Sequence, residues 1–565
     1  MSRNDSNLRR LLLAAAIVAA TLAAYWPAIH GGFIWDDDDY LTGNRALRSA
    51  EGLKEIWLVP GTTRQYYPLV HTTFWLESRL WGFEPLGYHL VNVFLFAASA
   101  LLLWQVLERL SLPGAWFVAA VFALHPVHVE SVAWITERKN VLSGLLYLAA
   151  AAAYLRFHRS RVGPVESSRG AWGTYALSLL LFAGALASKT VTASLPAALL
   201  LLHWWKGDSL NRRTVFPLLP MFVLALPMAR LTAWMETYNV GARGADWDLS
   251  FVERTLIAGR ALWFYAGKLI WPDRLTFIYP RWEIDAGAAW QYLFPVAALL
   301  VVIGLWALRG RLGRGPLVAV LFFAGTLVPA LGFFDVYPMK YSFVADHFQY
   351  LASIGLIALV STAGLRLLRF AVPGDRATVV AAMIVLAVLG TLSWRQARIY
   401  ENVETLWRDT IDKNSACWMA RVSLGNELER TGRSDEALVQ YREALRHDPD
   451  SAMAHNNVGV ILFNRKRYDE AETHFRRAFE IDPNDGMVQA NLGDIARIRG
   501  DLDLALKRYA ESLTRRPDHA SSHYWIGLIH LQRDDVEAAV SHLEAALRID
   551  PGMEEAARLL RSARP

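Results

Sequence analysis

Apolar runs of nearly bilayer-spanning length recur through residues 11–394 and then cease. A helix needs ~20 apolar residues only where it crosses hydrocarbon, so a succession of them restricts this region to a membrane helical bundle. The runs fall at 11–29, 86–107, 113–126, 140–157, 172–188, 190–205, 214–233, 289–308, 316–334, 349–369 and 376–394. This pattern predicts an all-α, polytopic domain over residues 1–395. Charged residues make up 20% of the chain and concentrate beyond residue 395, where the pattern is polar and helical, so a second domain is expected at 396–565. The single cysteine, Cys417, excludes an internal disulfide and a cysteine-based zinc site. Arg9 and Arg10 precede the run Leu11–Ala24, which reaches Tyr25-Trp26-Pro27 without a cleavage site, so an uncleaved first helix is expected.

Orientation follows from basic residues in the connections. Arg9 and Arg10 put the N-terminus in the cytoplasm. Arg156, Arg159, Arg161 and Arg169, then Lys206, Arg212 and Arg213, then Arg309, Arg311 and Arg314, then Arg366, Arg369 and Arg376 fall in later inside loops. Because the basic excess lies in such loops, it reports topology and not nucleic acid. Segment 253–271 is apolar, yet a crossing there would turn the Arg309–Arg314 loop outward. It is therefore expected to lie on the outer surface, with Arg254, Arg260 and Lys268 on its polar face. Eleven crossings result, and the C-terminal domain faces outward.

That topology collects acids, histidines and cations on one side. The first outer loop carries Asp36-Asp37-Asp38-Asp39, then Tyr66-Tyr67-Pro68 and His71. A second reads His125-Pro126-Val127-His128-Val129-Glu130, with Arg138 and Lys139 close behind, and a third runs from Lys340 to Asp346-His347. Lys189 occupies an outer turn. Carboxylates beside a bilayer are costly unless solvated or paired, which makes the Asp run a site hypothesis. His125, His128 and Glu130 also have metal-ligand spacing, but no further ligand is evident and a hydrogen-bonded network is expected instead.

The C-terminal part repeats every 34 residues, as Pro449, Pro483, Pro517 and Pro551 mark. In phase come Leu424-Gly425, Val458-Gly459, Leu492-Gly493 and Ile526-Gly527, then Ala437, Ala471, Ala505 and Ala539. This is the tetratricopeptide signature, an α-solenoid with a concave groove for a peptide or partner. Repeats are expected at 418–451, 452–485, 486–519 and 520–553, after a degenerate half-repeat near Val403–Asp412 and before a capping helix.

These constellations suit sugar transfer from a polyprenyl phosphate to a hydroxyl. Such chemistry needs a carboxylate for the acceptor proton, cations for the departing phosphate and an apolar groove for the lipid. Asp36 or Asp37 is the expected base, and Lys189, Lys340, His347 and Arg138 are the expected phosphate ligands. The acceptor and sugar side is assigned to His125, His128, Glu130, His89, Tyr67 and Asp346. No Gly-rich nucleotide cradle is evident, and no metal or other cofactor is required. The competing reading is a non-catalytic scaffold, in which the spans merely anchor the repeats for a cell-envelope complex.

Phe33-x-x-Asp36-Asp37 with Asn44, Tyr66-x-Pro68-Leu69, Gly87-x-His89-x-x-Asn92, and His125-Pro126-x-His128-x-Glu130 with Arg138 stand in fixed order. Together with Lys189, the Asp346–Ser353 stretch and the repeats, they resemble the transmembrane and tetratricopeptide repeat-containing family over the whole chain. The resemblance implies a type C glycosyltransferase that works on the outer face by inversion, like relatives that use dolichyl-phosphate mannose to O-mannosylate proteins. It also implies that Asp36 and Asp37 match the family's acidic pair. Two departures stand out. The family tends to have Lys-Glu where this chain has Lys189-Thr190, and an acid followed by Arg where it has Asp346-His347. Few cysteines and short loops point to a bacterial inner-membrane version with a mannose-like sugar on a shorter polyprenyl phosphate and a protein Ser/Thr acceptor.

Overall fold

A computed structural model describes residues 3–162, 168–371 and 374–564, and all regular structure among them is helical. Two compact units result, Met1–Asn414 and Ser415–Pro565.

Each expected span in the first unit coincides with a helix. These are α1 (Arg3–Ala24), α2 (Pro85–Arg109), α3 (Ala115–Leu124), α4 (Arg138–Val162), α5 (Ser168–Leu186), α6 (Leu195–Lys206), α7 (Leu219–Met235), α8 (Leu293–Ala307), α9 (Gly315–Leu327), α10 (Ser353–Ala371) and α11 (Asp375–Ile399). Seven regions are long and apolar enough to cross a bilayer, containing α1, α2, α4, α7, α8, α10 and α11. An eighth exists if α3 and Pro126–Ala133, bent by 54° to each other, count as one span. Length and composition alone thus support seven or eight of the eleven expected crossings. The 12 residues of α6, for example, reach only ~18 Å at 1.5 Å per residue, well short of hydrocarbon ~30 Å thick.

Sequence spacing explains how the bundle packs. On α2, Tyr88, Asn92, Phe96, Ser99, Leu103 and Leu107 recur at steps of three and four, and all are buried. Gly144 of α4 lets Tyr350 approach closely, since a Cβ there would stand 2.6 Å from the ring. Helix Phe251–Ile270 is not among the seven regions apolar enough to cross, although segment 253–271 reads as apolar in sequence. Its three basic residues are engaged locally: Arg254 pairs with Asp335 at 2.8 Å, Arg260 covers Trp282, and Lys268 donates to the Asp273 carbonyl.

The two ends of the bundle differ in charge. At one end Arg10 pairs with Glu108, Arg159 donates to the Arg109 carbonyl, Lys206 to that of Leu110, and Arg314 to that of Trp204. The connections expected to share the cytoplasmic face therefore touch one another. His89 and Asn92 begin the helix that Arg109 ends, and Asn92 donates to the Val132 and Trp134 carbonyls, so the segment from Glu130 to Thr136 lies at the opposite end.

Helix Val403–Lys413, expected to be a half-repeat joined to the array, packs within the first unit. Trp407 is fully buried against Trp35 and Phe277, and Asn414 donates to the Ile278 carbonyl.

In the second unit, paired helices run from Trp418–Arg430 with Ser434–His447 to Ala520–Gln532 with Val536–Ile549, then Glu554–Ala563. Each phased glycine sits under the next helix: a Cβ at Gly459 would lie 2.6 Å from Phe475, and one at Gly493 2.8 Å from Tyr509. Arg465–Asp435, Arg499–Asp469 and Arg533–Asp503 tie successive repeats at 2.6–2.7 Å.

Candidate active site

The acid run lies where the first loop meets the turn before α4. Asp37 is fully buried, and its carboxylate accepts from Ile34 N at 2.9 Å, Thr136 N at 2.8 Å and Thr136 Oγ1 at 2.6 Å. Burial pushes its carboxyl up to about 7, against the pull of these three donors. Asp36 differs. Its Oδ1 is buried and has no hydrogen-bond partner among the described residues. Burial raises its carboxyl to about 6, while the nearby Lys139 opposes the rise. Of the two acids, Asp37 is occupied as a tie between segments and Asp36 keeps an oxygen in reserve. Asp38 and Asp39 are exposed, and Asp39 pairs with Arg64 at 3.1 Å.

Behind Asp36 stands a group that spacing alone did not single out. Glu137 is fully buried, with Lys139 Nζ at 2.8 Å, Lys189 Nζ at 3.3 Å and Asn140 Nδ2 at 2.6 Å. Lys189 also donates to Asn140 Oδ1 at 2.8 Å; burial lowers its pKa and Glu137 opposes the shift. Lys139 lies over the rings of Tyr40 and Trp134. Glu236, also not anticipated, is buried, accepts from Gln65 and from Tyr337 N, and so joins the first loop to the third. Tyr67 is buried beside it, and burial with the Glu236 charge raises the phenol pKa. The available signal for Glu137 was its position in Glu137-Arg138-Lys139, a carboxylate flanked by two cations at the start of a span.

The structure divides the remaining expected ligands. His347 does enter the cluster: Nδ1 meets Glu130 Oε1 at 2.9 Å and Nε2 lies 3.9 Å from Glu137 Oε1. Glu130 also accepts from His347 N at 3.1 Å, so it holds the imidazole and does not face open space. Arg138, expected at the donor phosphate, has no free donor face. It is wholly buried, bidentate to Glu77, and donates to Asn92 Oδ1, Thr73 Oγ1 and the Tyr88 carbonyl. His125 and His128, expected on the sugar side, likewise engage both ring nitrogens within the protein. His125 uses Nε2 on the Leu269 carbonyl at 3.0 Å and Nδ1 on Val127 N at 3.4 Å. His128 uses Nδ1 on the Phe122 carbonyl and Nε2 on Ser353 Oγ, at 2.8 and 2.9 Å. Both oxygens of Asp346 accept from the Tyr279 hydroxyl at 3.0 Å, and burial next to Glu130 raises its carboxyl well above the usual range. His89 is buried. Lys340 is half-buried, in the turn that begins with Tyr337.

Of two cavities in the membrane unit, the smaller borders the acid run and the larger reaches the basic connections at residues 111–113, Arg314 and Arg366. One of about 370 Å³ is bounded by Asp39, Tyr40, Arg64 and His71. A larger one of about 780 Å³ is lined almost wholly by apolar residues of α2, α4, α6, α9 and α10, among them Tyr147, Leu195, Phe322 and Ile354.

Known proteins are similar to this chain in sequence. Protein O-mannosyl-transferase TMTC3 of Mus musculus is 25% identical over 504 residues, covering 80% of this chain and 53% of its own length. Protein O-mannosyl-transferase TMTC1 of Homo sapiens is 25% identical over 509 residues, covering 79% of this chain and 56% of its own. This chain is TMTC-like. A profile of the tetratricopeptide repeat matches residues 422–486 and 491–554. The chain spans about half the length of the curated relatives it matches. Among solved structures, MamA overlaps 27% of this chain and 89% of its own at 19% identity, with a TM-score of 0.24, too slight a likeness to argue from.

Proposed function

We propose that this chain is a membrane glycosyltransferase that moves a mannose-like sugar from a polyprenyl phosphate to a protein hydroxyl. The observation that carries the reading is the buried, unpartnered oxygen of Asp36, set close to the Lys139–Glu137–Lys189 cluster. Asp36 takes the acceptor proton as the acceptor oxygen bonds to the anomeric carbon. The bond from that carbon to the phosphate oxygen breaks, and the phosphate leaves with its electron pair. Lys189 and Lys139, freed in part from Glu137, balance that charge in a water-poor site where fixed cations act most strongly. His347 orients on Glu130 and Glu137 as a positioning residue. A carboxyl with a pKa near 6 suits a general base at neutral pH. TMTC relatives carry the name of protein O-mannosyl-transferase, which supports the sugar and acceptor class.

The isoprenoid tail is assigned to the large apolar cavity, whose lining includes Leu195, six residues past Lys189, and extends from there to Arg314 and Arg366. On this reading the acid end faces outward from a bacterial inner membrane, because the basic connections share the other end. The second unit presents its groove to the acceptor chain. The test uses membranes holding the full chain and a radiolabelled polyprenyl-phosphate sugar. Transfer to protein is expected from the natural chain and lost with Asp36→Asn; equal transfer from both would refute the assignment.

A further inference from the structure

At the basic end of the bundle, far from Asp36 along α4, three side chains converge that the transfer chemistry does not use. His158 lies in the last turns of α4, His203 in the last turn of α6, and Asp208 just beyond it. Their ligand-type atoms all lie within 4.8 Å of one another, and no other group of three His, Cys, Asp or Glu does so among the described residues. Gly207 makes the arrangement possible. Its left-handed backbone (φ 81°) ends α6 and turns the chain so that Asp208 N caps the His203 carbonyl at 3.0 Å, which brings the carboxylate back against the helix end.

We propose that His158, His203 and Asp208 bind a divalent transition-metal cation of the zinc class. Two imidazole nitrogens approach a single carboxylate oxygen: His203 Nδ1 at 2.7 Å and His158 Nε2 at 3.3 Å from Asp208 Oδ2. Such convergence needs protons or a cation between the rings and the carboxylate. A tetrahedral ion with ligands at ~2.0–2.1 Å requires ligand atoms about 3.3 Å apart, close to the second spacing and reached from the first by a shift of about 0.6 Å. The outer shell is also in place. His203 Nε2 lies 3.3 Å from the Tyr154 hydroxyl, which itself donates to the Thr214 carbonyl at 3.5 Å. The hydroxyl oxygen therefore accepts the Nε2 proton, leaving Nδ1 with the lone pair a metal takes. Two imidazoles and a carboxylate leave a fourth position for water, and nitrogen ligands select zinc, nickel or copper over magnesium or calcium. Binding displaces the proton shared with Asp208 and clamps α4 to α6, the helix that follows Lys189.

The test uses the untagged full chain in nanodiscs, stripped with chelator and then titrated with zinc. The repeats hold two further histidine pairs, His455 with His474 and His523 with His542, so binding is read as the difference between natural chain and variant. The natural chain should retain one zinc ion more than His158→Gln or Asp208→Asn, and zinc should raise its melting temperature but not theirs. Cobalt should give the visible absorption of a tetrahedral complex. Tyr154→Phe, which keeps all three ligands, should weaken binding about tenfold. Equal zinc content in natural chain and variants, or a cobalt spectrum without tetrahedral bands, would overturn the site, and cobalt reads the natural chain even where a variant fails to fold.

Discussion

Asp36 and Asp37 are neighbours of one chemical type, and only their surroundings separate them. Asp37 gives three hydrogen bonds a common acceptor and ties residue 34 to residue 136, whereas Asp36 leaves Oδ1 unbonded in a buried site. Asp36→Asn should therefore cut transfer by at least ~100-fold with little change in melting temperature. Asp37→Asn should instead lower stability by about 1–3 kcal/mol, as expected when buried donors lose their acceptor, and thermal unfolding in detergent checks it. The pH dependence has a definite sign. Burial raises Asp36 to about 6, so the carboxyl is protonated and inactive below that value. Transfer should fall about tenfold per pH unit below 6 and level off above it, measured as kcat/KM. Arg138→Ala should cost about 3–5 kcal/mol because it leaves Glu77 buried without its counter-charge, and Glu77→Gln should be milder.

At the scale of helices, local periodicity carries far. The starts and ends of the repeat helices follow from the 34-residue phase, and the small residues mark where two helices touch. Gly459→Val should therefore destabilise the second unit by about 1–3 kcal/mol, because its Cβ would collide with Phe475 and neither backbone can easily retreat. Removing one exposed Arg–Asp tie, as in Arg533→Ala, should change the melting temperature far less, since such pairs contribute at most about 1 kcal/mol. Helix Val403–Lys413 shows where periodicity stops. Its amphipathic pattern fits a repeat, yet Trp407 finds its partners in Trp35 and Phe277, more than 100 residues away in sequence.

For the molecule as a whole, the two ends of the membrane unit carry different chemistry, and each is assembled from several loops. Cleavage or truncation after Asn414 should leave Asp36-dependent transfer to a short hydroxyl peptide, while transfer to intact protein acceptors falls at least tenfold. Parallel assays with both acceptors test this. The sequence by itself determined the helical class, the division between apolar and repeat halves, the period of the solenoid and the concentration of acids and histidines in particular loops. All of these are properties of neighbouring residues, visible as spacing. Tertiary structure alone decided the partners. Asp37 meets Thr136 across 99 positions and Glu130 meets His347 across 217, so no local pattern distinguishes a held carboxylate from a free one. Arg138, His125 and His128 look functional in sequence because they are polar beside apolar runs. In the fold each is fully bonded and buried, since a polar group taken out of water must find its partners inside the protein.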